Sequence, residues 1–193
     1  MSNEHLKDAT TKKDFIFFVK KYLKLIIAFS SLFLLILILF FYISHQERKK
    51  NIIISNQFNK ANILLEKKET ENAKKILLAI IEKNNNFYSP LSLNILIDKK
   101  IITDKKELVI LFDNILKIKK IDDEDKNLIK IKKALLFFDK NNEKEILNIL
   151  NPIINSNSVW RQEAIKLIVE FFKYTGELKK SEEYLGLLSK SKN

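Results

Sequence analysis

Cysteine is absent from the 193 residues, and glycine and proline occur only twice each. Without a thiol there is no disulfide framework, no thiolate nucleophile and no zinc ribbon. The compartment stays open, because reducing and oxidising spaces both hold Cys-free proteins. So few chain breakers disfavour sheets joined by tight turns and favour helices with short connections. With Gly only at 176 and 186, a Gly-rich phosphate cradle is excluded. Histidine is limited to His5 and His45. Gln46 and Glu47 flank His45, which is not metal-ligand spacing, so it reads as an interfacial polar residue.

Positive charge is plentiful, with a formal net of +11. Residues 1–50 carry nine Lys/Arg against four Asp/Glu, and residues 51–193 carry 26 against 20. The excess beyond residue 50 is dilute and interleaved with acids. Arg48 and Arg161 are the only arginines. Nucleic-acid readers concentrate base on one face and use Arg for bidentate contacts, so a solvated Lys-rich surface is the better reading.

From Leu25 to Ile43 the chain reads LIIAFSSLFLLILILFFYI, 19 residues without a charge. As a helix this is about 28 Å long, close to the hydrocarbon thickness of a bilayer. The segment is apolar on every face, unlike the helices of a soluble core. Lys20, Lys21 and Lys24 bound it on one side, and Arg48, Lys49 and Lys50 on the other. Phe40, Phe41 and Tyr42 suit an interface belt. Bulky residues stand where signal cleavage needs small ones, so the segment reads as a retained signal anchor. Six Lys at positions 5–24 against four basic residues at 44–63 point the N-terminus toward the cytoplasm. Residues 1–24 then form a cytoplasmic tail in which Asp14–Tyr22 lies along the interface.

Residues 44–193 read as an all-helical domain. Apolar residues recur every three or four positions and predict eight helices, near 50–67, 71–83, 89–100, 104–119, 126–140, 142–155, 158–175 and 178–190. Pro90 suits a first helical turn, Gly176 a helix end, and Pro152 an end or kink in the sixth helix. The even-numbered segments align on apolar or small residues at i, i+4 and i+7: Ala73/Leu77/Ile80, Leu108/Phe112/Ile115, Ile146/Leu150/Ile153 and Ser181/Leu185/Leu188. Their leading residues lie 35, 38 and 35 apart. A helix-pair period near 34 is that of a tetratricopeptide-like solenoid, here degenerate and about four pairs long. Ala61 and Ala134 take the tight-crossing positions of the first helices. An irregular helical bundle is the alternative architecture.

The segment FVKKYLKLIIAF before the span resembles the Phe–x–Lys–Lys–Tyr–Gly approach of YfgM-like tetratricopeptide proteins of bacterial inner membranes. FYISHQERKK is similar to that family's aromatic–x–x–x–Gln exit. The order of anchor, linker helix and degenerate pairs matches over residues 14–190. Leu23 departs from the family's Gly, and Ala positions in the repeats are sparse. The resemblance implies a single-pass inner-membrane protein with a periplasmic repeat domain, an ancillary subunit of the SecYEG translocon working beside a PpiD-type chaperone. It carries over no catalytic residues.

No catalytic constellation, metal set or cofactor motif emerges from the sequence itself, so the protein reads as a non-enzyme without a small-molecule substrate. Asp122-Asp123-Glu124-Asp125 lacks the Gly and final Glu of a calcium loop and reads as a helix-opening turn. A solenoid binds along its first helices, which places a candidate partner groove at Asn62, Leu65, Leu135, Phe138, Glu170 and Lys173. Phe138 is either an exposed anchor or, with Leu135, a completion of the core. A scaffold for division or wall synthesis is the alternative to a translocon role, and an anionic-surface binder a third. A retained anchor predicts that the chain stays in the membrane pellet after alkaline carbonate extraction, with its N-terminus still upstream of Leu25. An N-terminus mapped beyond Tyr42 would show processing instead.

Overall fold

The computed structural model describes the backbone of residues 3–189 and the side chains of residues 21–188 except Ile26. Among these residues every regular element is a helix. The chain divides into two compact units, Met1–Ile52 and Ile53–Asn193. Eight α-helices follow in order: α1 Asn3–Glu66, α2 Thr70–Glu82, α3 Tyr88–Asp98, α4 Lys105–Leu116, α5 Asp123–Ala134, α6 Glu143–Ile154, α7 Arg161–Thr175 and α8 Leu178–Ser189.

In the first unit, α1 holds a window of mean hydropathy 2.9, none of it buried. That excludes a core helix of this unit as the reason for its apolarity. The helix is long and apolar enough to cross a bilayer. Its polar groups find local partners: Ser31 Oγ donates to the Ala28 carbonyl at 2.9 Å, and Gln46 Nε2 to the Tyr42 hydroxyl at 3.3 Å. Such internal satisfaction is what a hydrocarbon surrounding demands. The interfacial reading of Asp14–Tyr22 depends mostly on side chains outside the described ones, as does any role for His5.

The second unit buries the stripes that the sequence aligned. Ala73, Leu77, Ile80, Leu108, Phe112, Ile115, Ile146, Leu150 and Ile153 are all buried. The last stripe differs: Ser181 is buried and Leu188 half-buried, but Leu185 is 48% exposed, no described helix packing over it. Successive helices pack on one another from α2 through α8. Their apolar faces fill two cores. Leu77, Leu93, Leu96, Leu108 and Phe112 belong to the first, with Ala61 of α1. Ile146, Leu150, Ile165, Ile168, Phe171 and Phe172 belong to the second. Helix α5 serves both, through Ile129 at its middle and Ala134 at its C-terminal end.

Buried serines tie helix starts to the preceding helices. Ser89 Oγ donates to the Ile80 carbonyl at 3.0 Å, and Ser181 Oγ to the Val169 carbonyl at 3.3 Å. Each bond satisfies the buried hydroxyl itself, which would otherwise be left unpaired at a cost. Between elements, Lys133 pairs with Asp113 and Lys180 with Glu143, both at 2.6 Å. Hydrogen bonds that it donates to Glu143 and then Glu177 push the Lys180 ammonium up to about 12.

Two expectations change. The fifth helix stops at Ala134 instead of running to 140, and 3-10 turns at Leu135–Phe137 and Lys140–Asn142 replace its end. The run Leu135-Leu136-Phe137-Phe138 is apolar all round, and a one-sided helix could not bury it. Leaving the helical path lets the Phe138 ring reach Phe171 at 5.6 Å and Tyr174 at 5.5 Å. Pro152 lies inside α6, which continues two residues beyond it. The missing N–H falls in the last turn, where little remains of the helix to break.

Helix ends show how a glycine-poor chain turns. Gly176 closes α7 at φ 87°, with its N–H on the Lys173 carbonyl and the Glu177 N–H on Phe172. The same pattern of bonds closes α1 and α3 at Lys68 (φ 64°) and Lys100 (φ 53°). A left-handed non-glycine residue costs roughly 1–2 kcal/mol, partly offset by the lower chain entropy of a side chain in the unfolded state. Lys68→Gly and Lys100→Gly should therefore each stabilise the fold by up to ~1 kcal/mol. Gly176→Ala should destabilise it by about 1 kcal/mol, although a Cβ there meets no atom within 4 Å. Urea unfolding of the detergent-solubilised chain measures all three.

Candidate functional site

The most enclosed apolar concavity of the second unit lies where α3, α4 and α5 meet. Phe112 and Ile115 of α4 form its floor, Leu91 and Asn94 of α3 one wall, and Leu128 and Lys132 of α5 the other. Each element is placed by the first core. Burial of Leu93 and Leu96 fixes which face of α3 points inward, and Ile129 does the same for α5. The adjacent positions Asn94, Leu128 and Lys132 are left facing the opening.

Its volume is roughly 190 Å³. A dry cavity of about 150 Å³ suffices for a benzene ring, whereas pockets for drug-sized ligands run from about 300 Å³ upward. The space therefore suits one large apolar side chain better than a cofactor. Phe87, 61% exposed, stands at the rim with its ring 5.0 Å from that of Tyr88.

The rim is polar and carries opposite charges. Lys132 is half-buried, and its Nζ donates to Asn94 Oδ1 at 3.0 Å, a neutral partner. Asp125 lies seven residues earlier on the same helix. Although exposed, its carboxyl is raised by desolvation at the rim and then by the neighbouring Asp122 carboxylate. Asp122 itself caps α5, accepting from the Asp125 backbone N–H at 2.8 Å. The acidic run thus opens the helix, as its composition suggested, with Asp123, Glu124 and Asp125 in the first turn where the helix dipole favours them. Ser158 fastens this end by donating to Glu124 Oε2 at 2.6 Å and accepting from Asn127.

The six groove positions expected from repeat spacing are dispersed. Asn62 and Leu65 share a shallower hollow with Ile95 and Lys99. Phe138 is half-buried against Phe171 and Tyr174, on the edge of the second core. Leu135 is 54% exposed, and Glu170 and Lys173 are exposed on α7. Asp125 stands out in the sequence only as part of the helix-opening turn, and Leu128 and Lys132 not at all. Their i, i+3, i+7 spacing was legible there but identical to that of any solvated helix face. Among the described residues no group of three or more His, Asp or Glu could hold a metal ion.

Lys132 bonds a neutral amide, so removing its charge leaves no counter-ion unpaired. Lys132→Met should leave the unfolding midpoint unchanged or raise stability by up to ~1 kcal/mol. A loss of more than that would make Lys132 a structural residue. No family model, curated protein or solved structure matches this chain.

Proposed function

We propose that the protein is a membrane-anchored protein-interaction module whose helical domain binds partner chains on a tetratricopeptide-like surface. One observation carries this reading: a cavity sized for a single side chain, with a charged rim, in a chain that also has a fully exposed apolar helix. The 35, 38, 35 spacing of buried stripes and the packing of each helix on the next support a degenerate solenoid. The dilute Lys surface favours protein over nucleic acid as partner.

More specifically, we place the protein in the bacterial inner membrane with its N-terminus cytoplasmic and its helical domain periplasmic. The YfgM-like sequence features flanking the span motivate a role beside the SecYEG translocon and a PpiD-type chaperone. In this role the module has no catalytic step: it holds a partner or an emerging chain close to the membrane.

Two measurements test the reading. Protease added to spheroplasts should digest the domain from Asn51 onward, and protection would place it in the cytoplasm. The full chain purified in mild detergent should bring SecYEG subunits or the chaperone with it. Repeated recovery of neither, with the anchor intact, would remove the translocon role and leave a scaffold of another envelope complex.

A further inference from the structure

The rim of the α3–α4–α5 cavity places an acid and a base at its two ends with an apolar hole between them. Asp125, Leu128 and Lys132 follow one face of α5, so the two charges stand about 10.5 Å apart along the helix axis. The floor between them is Phe112 and Ile115, which the fold buries, and the accessible apolar surface of the hole comes from Phe87, Pro90, Leu91 and Leu128 around it. Lys132 has Asn94 as its hydrogen-bond acceptor and forms no ion pair within 4.0 Å among the described contacts. The neighbouring lysines on α5 are engaged elsewhere, Lys133 with Asp113 and Lys126 with Asp123.

We infer that this cavity docks one face of an amphipathic helix from a partner protein. That face carries a Leu- or Phe-sized side chain flanked by a basic and an acidic residue, seven positions apart. The apolar side chain fills the hole, the acid pairs with Lys132 and the base with Asp125. A helix fits because it repeats its face with the same period as α5, so all three contacts align at once. A lipid headgroup would satisfy Lys132 but be repelled by Asp125, and a small anion would leave the hole empty. The inference rests on the protein-interaction reading and gives that reading a partner chemistry.

The chain has no cysteine, so Asn86→Cys at the rim provides a single thiol for an environment-sensitive dye on the full chain in nanodiscs. The probes are capped, lactam-stapled helical peptides with Lys, Leu and Glu at i, i+3 and i+7. Controls carry Ser for Leu, Lys at both ends, or Glu at both ends. Burial of the apolar group predicts about tenfold or greater loss with Ser. Each like-charged control should bind roughly three-fold or more weakly, as partly exposed ion pairs allow.

Charge exchange separates docking from general stickiness. Lys132→Glu should invert the preference toward the peptide with Lys at both ends, and Asp125→Lys toward the one with Glu at both ends. Equal binding of all peptides, or no inversion in folded variants, overturns the inference. Protein self-association that competes with the peptide and is lost in Lys132→Glu would assign the cavity to a second copy and equally overturn it. Co-purification of envelope partners that survives both charge changes would reject this docking mode while leaving the interaction module standing.

Discussion

Helix α5 is the constraint on which the second unit depends. Its buried residues belong to different cores, mid-helix Ile129 to the one built on α2–α4 and the terminal Ala134 to the one built on α6 and α7. Alanine at 134 is fully buried, and a larger residue there would force the helices apart in a close-packed interior. The acid-rich first turn sets where α5 begins, because Asp122 caps it and Ser158 holds Glu124. Its other end is set by the apolar run from Leu135 to Phe138, which abandons the helix to reach α7. Position and length of one helix thereby couple the two cores.

The same coupling explains where the cavity forms. Neighbouring helices bury one stripe each, and the residues next to the stripe are carried to the junction without being packed into it. At the α3–α4–α5 junction those residues are Asn94, Leu128 and Lys132, and they leave a hole with a polar rim. Lys132 there bonds a neutral amide and not a carboxylate. Helix termini show a compromise. With glycine at only two positions, the chain closes α1 and α3 with lysines in the left-handed region and accepts local strain there.

Most of the fold was legible in periodicity. The stripes led by Ala73, Leu108 and Ile146 are buried throughout, and the observed helices start and end within a few residues of the expected ones except near 135–140 and at the start of the first, which continues unbroken from the apolar span in α1. That exception has a physical source: four consecutive bulky apolar residues have no amphipathic phase, so spacing alone could not tell a helix from a turn. Leu185 fits the stripe by spacing and is nevertheless exposed, because burial needs a covering neighbour as well as a phase.

The amino-acid order by itself determined the all-helical class, the uncharged span at 25–43, the helix-opening role of residues 122–125 and the buried stripes, since each depends on neighbours within two helical turns. Only the tertiary structure decided which surface positions meet. Asn94 and Lys132 lie 38 residues apart and come together because α3 and α5 both dock on α4. Of the expected groove residues, Asn62 and Leu65 share one hollow, Phe138 borders the second core, and Leu135, Glu170 and Lys173 are exposed. A solvated helix face and a binding face share one period, and only the helix packed beside it distinguishes the two.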